Sequence, residues 1–98
     1  MSIRKVSRLD RARRSNDPLQ VIPGVGPSLA KDLRLLGYQR VRDLARADAE
    51  AMYADLCRLT ETRQDACVLY VFRCAVYFAN NECHDPELLK WWNWKERV

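Results

Sequence analysis

Two prolines and two glycines fall within five residues, Pro23-Gly24-Val25-Gly26-Pro27, and no other stretch of this 98-residue chain restricts its own path so tightly. Proline fixes φ and removes an amide donor, while glycine admits the positive φ that tight turns demand. The segment must therefore turn sharply, and helix signals stand on both sides of it. Upstream, Asp17-Pro18 reads as an N-cap and first helical position leading into Leu19-Gln20-Val21-Ile22. Downstream, Ser28 is expected to open a second helix, with Leu29, Leu33 and Leu36 at i, i+4 and i+7 and Gly37 at its C′ position.

The rest of the chain reads as helices with short connections. Apolar residues at Tyr38, Val41 and Leu44 predict a turn and a brief helix. Asp48 is placed to cap a helix from Ala49 to about Arg58, with Glu50 in its first turn. Thr62-Arg63-Gln64-Asp65 resembles a capping box with Asp in place of Glu, starting a helix that runs to about Asn80. Thirteen of the sixteen residues from Asp65 to Asn80 are apolar or aromatic, so this helix should be central and buried. Asp85-Pro86-Glu87 opens a last short helix through Leu88, Leu89 and Trp91. No stretch alternates like a strand. The expected fold is all-α: a compact bundle of about five helices.

The turn also carries the chemistry. Glycines at 24 and 26 let a phosphate approach the backbone closely, and the amides of Gly24, Val25 and Gly26, with those of the following first turn, are expected to point outward. The partial positive charge of a helix N-terminus makes such a turn an anion cradle. The Ser28 hydroxyl is placed to donate to the same phosphate, and Lys31, one turn in, to neutralise it. A side chain at Gly26 would block that approach and is also expected to strain a positive backbone angle. Two helical patterns joined by Ile22-Pro23-Gly24-Val25-Gly26, with small Ala30 where the helices must pack closely, resemble the helix-hairpin-helix motif of many DNA-binding proteins. The competing reading makes the hairpin a purely structural turn, and Asp32 beside Lys31 weakens the local field.

The resemblance extends along the chain. Ile22-Pro23-Gly24-Val25-Gly26, Leu56-Cys57-Arg58-Leu59-Thr60, Arg63-Gln64-Asp65, the run from Cys67 to Tyr77 and Leu89-Lys90-Trp91-Trp92-Asn93-Trp94-Lys95 together resemble the small bacterial pathogenicity locus family of helix-hairpin-helix proteins, some members of which are labelled mitomycin-resistance proteins. The likeness spans about residues 18 to 96 and implies a DNA-associated module. A faint internal repeat accompanies it: a shift of 37 places Leu56 on Leu19, Leu59 on Ile22, Cys67 on Ala30 and Tyr70 on Leu33. Glu61 and Arg63 then fall where Gly24 and Gly26 stand, so a second, degenerate copy of the motif is expected to be structural.

Charge is distributed unevenly. Residues 1–18 hold Arg4, Lys5, Arg8, Arg11, Arg13 and Arg14 against Asp10 and Asp17, which accounts for the whole +4 excess; the remaining chain balances eleven basic residues with eleven acidic ones. Residues 1–15 are therefore read as a basic, flexible N-terminal arm and 16–98 as the helix-hairpin-helix domain. Such an arm attracts a polyanion or serves only as a solubilising tail. No signal peptide is legible, and the longest apolar stretch, Ala66 to Ala79, contains Arg73 and falls short of the roughly 20 residues a membrane span needs. A cytoplasmic location with reduced thiols is expected, with no membrane partner.

Cys57, Cys67, Cys74, Cys83 and His84 invite a metal reading, but no C-x-x-C pair occurs. Cys67 and Cys74 lie two turns apart, about 10.5 Å by helical rise, whereas two thiolates on one zinc sit about 3.8 Å apart. The cysteines read as small buried hydrophobes, and neither metal nor cofactor is expected. His84 is the only imidazole, and sequence adjacency to Cys83 supplies no oriented base, so no catalytic residue is assigned. Trp91, Trp92 and Trp94 are expected to pack over the core, with protein docking and base stacking as the other uses. The reading that follows is a non-enzymatic, largely sequence-independent DNA-binding module, its target double-stranded rather than single-stranded. The alternative is a helical adaptor with a purely structural hairpin, serving a protein partner or a homo-oligomer.

Overall fold

Where a segment of this chain runs nine residues or more between breakers it forms an α-helix, and where it has only four residues it stops at a 3-10 turn. The computed structural model describes residues 17–95. These form three α-helices, α1 (Pro27–Leu35), α2 (Ala49–Thr60) and α3 (Ala66–Asn80), and four 3-10 turns, Pro18–Val21, Val41–Leu44, Pro86–Leu89 and Trp91–Trp94, with no strand among the described residues. The all-helical class holds; the expected five helices do not.

The difference has local causes. Asp17 caps the first turn as expected, its carboxylate accepting from the Leu19 amide at 3.0 Å. Pro23 follows too soon for an i→i+4 ladder: it has no amide and drives Ile22 to an extended conformation (φ −73°, ψ 126°). The Val41–Leu44 turn ends at an extended Ala45, and the last expected helix breaks at Lys90 (φ −90°, ψ 111°) into two separate turns. The cap of α3 is Asp65, accepting from the Cys67 amide at 3.0 Å, not Thr62 at the head of a capping box. The cap of α2 is Asp48, as the sequence indicates. Gly37, at φ +103°, closes α1: its amide donates to the Arg34 carbonyl and that of Tyr38 to the Leu33 carbonyl, both at 2.9 Å, the Schellman pattern.

The core gathers one face from each element. Leu19 and Ile22 come from the first turn, Ala30 and Leu33 from α1, Leu44 from the second turn, Met52 and Leu56 from α2, and Val71, Phe72 and Ala75 from α3. Helix α3 is the hub, packing against α2, the Val41–Leu44 turn and both C-terminal turns. Cys74 is buried with them, but Ala66 is exposed and the other apolar side chains of the helix are half-buried, which makes it central but not enclosed. No described helix is long and apolar enough to cross a membrane.

Candidate nucleic-acid interface

The glycine turn is held from three directions. Val25 is buried in the core, and its amide donates to the Ile22 carbonyl at 3.0 Å. Val25 thus anchors the turn and offers no open donor, which corrects the expectation that all three hairpin amides face outward. Asp17 binds Arg34 on α1, tying the first turn to the helix after the hairpin. That contact, foremost, and the Leu19 and Gln20 hydrogen bonds hold the Asp17 carboxyl below its ordinary range. From the far end of the chain, Trp91 lies against Gly24.

The two glycines do different work. Gly24 has φ +86°, and a Cβ there would stand 2.9 Å from Cδ1 of Trp91, so both backbone and neighbour demand glycine. Gly26 has φ −94° and ψ −169°, ordinary extended backbone, with nothing within 4 Å of a Cβ built on it. The expected positive angle at Gly26 is therefore absent. Nothing inside the described fold requires a glycine at that position.

Gly26 is also the N-cap of α1, and no side chain caps it. The amides of Gly24, Gly26, Ser28 and Leu29 have no hydrogen-bond partner among the described residues, while the Ala30 amide closes the first helical turn onto the Gly26 carbonyl at 2.9 Å. Helices α2 and α3 begin under Asp48 and Asp65 carboxylates. Only α1 opens without one. Ser28 and Lys31 are exposed on the same first turns, and Lys31 has no ion pair among the described residues. Asp32, half-buried, is pushed up chiefly by desolvation, with Lys31 pulling the other way. Arg4, Lys5, Arg8, Arg11, Arg13 and Arg14 lie outside the described residues.

The second connection, from α2 to α3, has the same length scale and a different finish. Glu61 takes φ +53°, so the repeat places two left-handed residues, Gly24 and Glu61, in register. Leu19 and Leu56 are both fully buried, as the repeat predicts; Ile22 is 1% exposed and its counterpart Leu59 54%. Here part of the polar set closes on itself, although the amides of Arg63, Asp65 and Ala66 have no hydrogen-bond partner among the described residues. The Tyr53 hydroxyl donates to the Gln64 carbonyl, the Gln64 amide reaches Cys57 Sγ at 3.4 Å, and its side-chain amide donates to Thr60 Oγ1 at 3.0 Å.

The tryptophans divide. Trp91 packs on the core, and Trp94 is half-buried, its Nε1 donating to the Leu88 carbonyl at 2.8 Å. Trp92 stays 55% exposed. Sequence reasoning missed the residue that pins this segment: Arg73 on α3, its side chain 13% exposed, binds Glu50 at 2.7 Å and donates to the Trp94 carbonyl at 2.8 Å. The arginine that interrupts an otherwise apolar helix was the available signal. Cys74 is buried, burial pushing its thiol up to about 11, and His84 stacks on Phe78 with Nε2 3.0 Å from that residue's carbonyl. Among the described residues no three His, Cys, Asp or Glu side chains converge as a metal site would require.

A helical chain with a glycine turn opening onto an uncapped helix, closed by a tryptophan-rich terminal turn, is what these elements define. The chain belongs to the pathogenicity locus family, whose model matches residues 12–98. The match begins at residue 12, ahead of the motifs that carry the resemblance, so Arg13 and Arg14 fall within the family span. Neither the curated proteins nor the solved structures compared with this chain gave a match.

Proposed function

We propose that this protein is a non-enzymatic DNA-binding module that grips the phosphate backbone, largely irrespective of sequence, through a helix-hairpin-helix unit centred on Gly24-Val25-Gly26. The observation that carries the reading is the start of α1. Open amides, an absent cap and a glycine with empty space around it stand together at the helix that also carries Ser28 in its first turn and, one turn in, a Lys31 with no ion pair among the described residues. A phosphate oxygen fits the place a capping carboxylate takes in α2 and α3. Val25 and the Asp17–Arg34 pair fix the turn before any ligand arrives, and the arm adds long-range attraction. The α2–α3 connection is then the degenerate copy, braced by its own side chains.

A second reading has its own support. The contact of Trp91 with Gly24 gives that glycine a structural purpose, as an adaptor with a purely structural hairpin requires. Gly26 separates the two. Gly26→Asp supplies α1 with the cap that Asp48 and Asp65 supply elsewhere and sets a carboxylate where the phosphate belongs. It should stabilise the fold by up to about 1 kcal/mol and abolish DNA binding in a salt-titrated assay. Lys31→Ala should weaken binding equally for unrelated sequences and lower the salt slope by about 0.9, and removing residues 1–15 should lower it further. Unchanged affinity in Gly26→Asp and Lys31→Ala, or no binding by the parent at low salt, hands the function to the adaptor reading.

A further inference from the structure

We infer that Trp92 is a base-stacking platform beside the hairpin, so that the preferred ligand is duplex DNA carrying unpaired nucleotides at its end rather than an uninterrupted duplex. This rests on the DNA-binding reading of the hairpin and refines its expected target. Two direct contacts connect the places involved. Trp91 lies on Gly24, and the Trp92 ring meets the Trp91 ring edge-on, with centroids 5.6 Å apart and planes at 84°. The exposed indole is thereby held next to the turn that would bind a phosphate.

The ring is exposed without being loose. The turn that carries it is fixed by Asn93, which donates to the Glu87 carbonyl at 2.7 Å, by Trp94 Nε1 on the Leu88 carbonyl, and by Arg73 on the Trp94 carbonyl. A rigid aromatic surface costs little ordering when a ligand arrives. Chemistry favours a base over an apolar side chain as its occupant. On one side of the tryptophan turn Lys90 is held by Glu87 at 3.0 Å, while on the other Lys95 is exposed with no ion pair among the described residues, and a free cation beside an aromatic face suits a strand of alternating phosphates and π faces. The bases of an intact duplex are already stacked inside it and present no face to Trp92. An unpaired nucleotide next to the bound phosphate does.

The test uses the full chain, a blunt duplex, and the same duplex with a short single-stranded overhang, at one salt concentration. The parent should bind the overhang form more tightly, with quenching of tryptophan fluorescence. Trp92→Ala should lose about 5- to 100-fold on the overhang form and nothing on the blunt one, while Trp92→Phe keeps most of the preference. Because Trp92 is exposed, circular dichroism of all three proteins should coincide. Equal affinity of the parent for both ligands, or an unchanged preference in Trp92→Ala, overturns the platform and leaves the hairpin reading standing. Failure of the parent to bind either ligand overturns both. A drop in molar mass by light scattering in Trp92→Ala, with its DNA preference intact, assigns the ring to a second copy of the chain and overturns the platform as well.

Discussion

The turn before α1 and the connection before α3 share a left-handed residue in the same repeat position, yet one leads into an uncapped helix and the other is braced by side chains and ends under a carboxylate cap. Gly24 and Glu61 both take positive φ. After Gly24 the chain enters α1 with no side chain over its first amides; after Glu61 it passes through Gln64, held by Tyr53, Cys57 and Thr60, and enters α3 under Asp65. A turn kept for folding alone gains by satisfying its own donors, since each neutral hydrogen bond contributes about 0.5–1.5 kcal/mol. The open turn forgoes that gain, and the difference is what a binding role would require.

The largest expected effects test how deep the repeat goes. Ile22→Ala and Leu33→Ala, both at fully enclosed positions before and within α1, should each cost about 2–5 kcal/mol in denaturant unfolding. Leu59→Ala, at the repeat position of Ile22 but 54% exposed, should stay within about 0.5 kcal/mol. Similar losses at Ile22 and Leu59 would restore a true structural repeat and dissolve the contrast.

Next come the two left-handed residues. Gly24→Ala strains a positive φ and drives a methyl group into Trp91, so a loss of about 2–4 kcal/mol is expected. Since Trp91 is the obstacle, Gly24→Ala and Trp91→Ala should be less than additive, with a coupling of about 0.5–3 kcal/mol. Glu61→Gly should instead stabilise by up to about 1 kcal/mol, because the α2 C-terminus already wants a left-handed residue there and the Glu61 side chain makes no ion pair among the described residues.

Much of this was legible along the chain. Asp17, Asp48 and Gly37 mark ends that the structure keeps, because caps act over three or four residues and the sequence displays them together. What stayed hidden depends on distance or on room. The Gly24–Trp91 contact joins residues 67 positions apart, and the Arg73 anchor joins α3 to the chain's last described turn. The short helices became 3-10 turns because Pro23 and the extended Ala45 and Lys90 leave no room for an i→i+4 ladder. The capping-box spacing pointed to Thr62, whereas the cap that forms is Asp65. Gln64 decided between them, since its bonds to Tyr53, Cys57 and Thr60 keep the chain out of the helix until Asp65.

The caps themselves give the third test. Asp65→Ala should cost about 1 kcal/mol, the usual loss when an N-cap carboxylate is removed. No truncation of the same kind exists at Gly26, where nothing caps the helix, so the matching change is the added carboxylate already described. Opposite signs at the two sites would show that α1 is left open where α3 is closed. Equal and small effects would mean that the caps contribute nothing to either helix.

The smallest effect separates the two regions by pH. The open turn is braced by an ion pair, Asp17 with Arg34, whereas the connection before α3 is braced by the neutral groups of Tyr53, Gln64, Cys57 and Thr60. The folded Asp17 carboxyl lies below its ordinary value of about 3.8, mainly through Arg34. Its contribution is therefore complete above that ordinary value and is lost as pH falls through the lowered one. Arg34 is 39% exposed, so solvent screens the pair and the loss should be well under that of a buried ion pair. Melting temperatures of the parent and Asp17→Asn should accordingly differ by a few degrees near neutrality and converge as the pH falls below 3.8, while Tyr53→Phe should stay offset from the parent by the same amount across that range. A Tyr53→Phe offset that also vanished in acid, or an Asp17→Asn offset that persisted there, would place the ionic brace on the wrong side of the molecule.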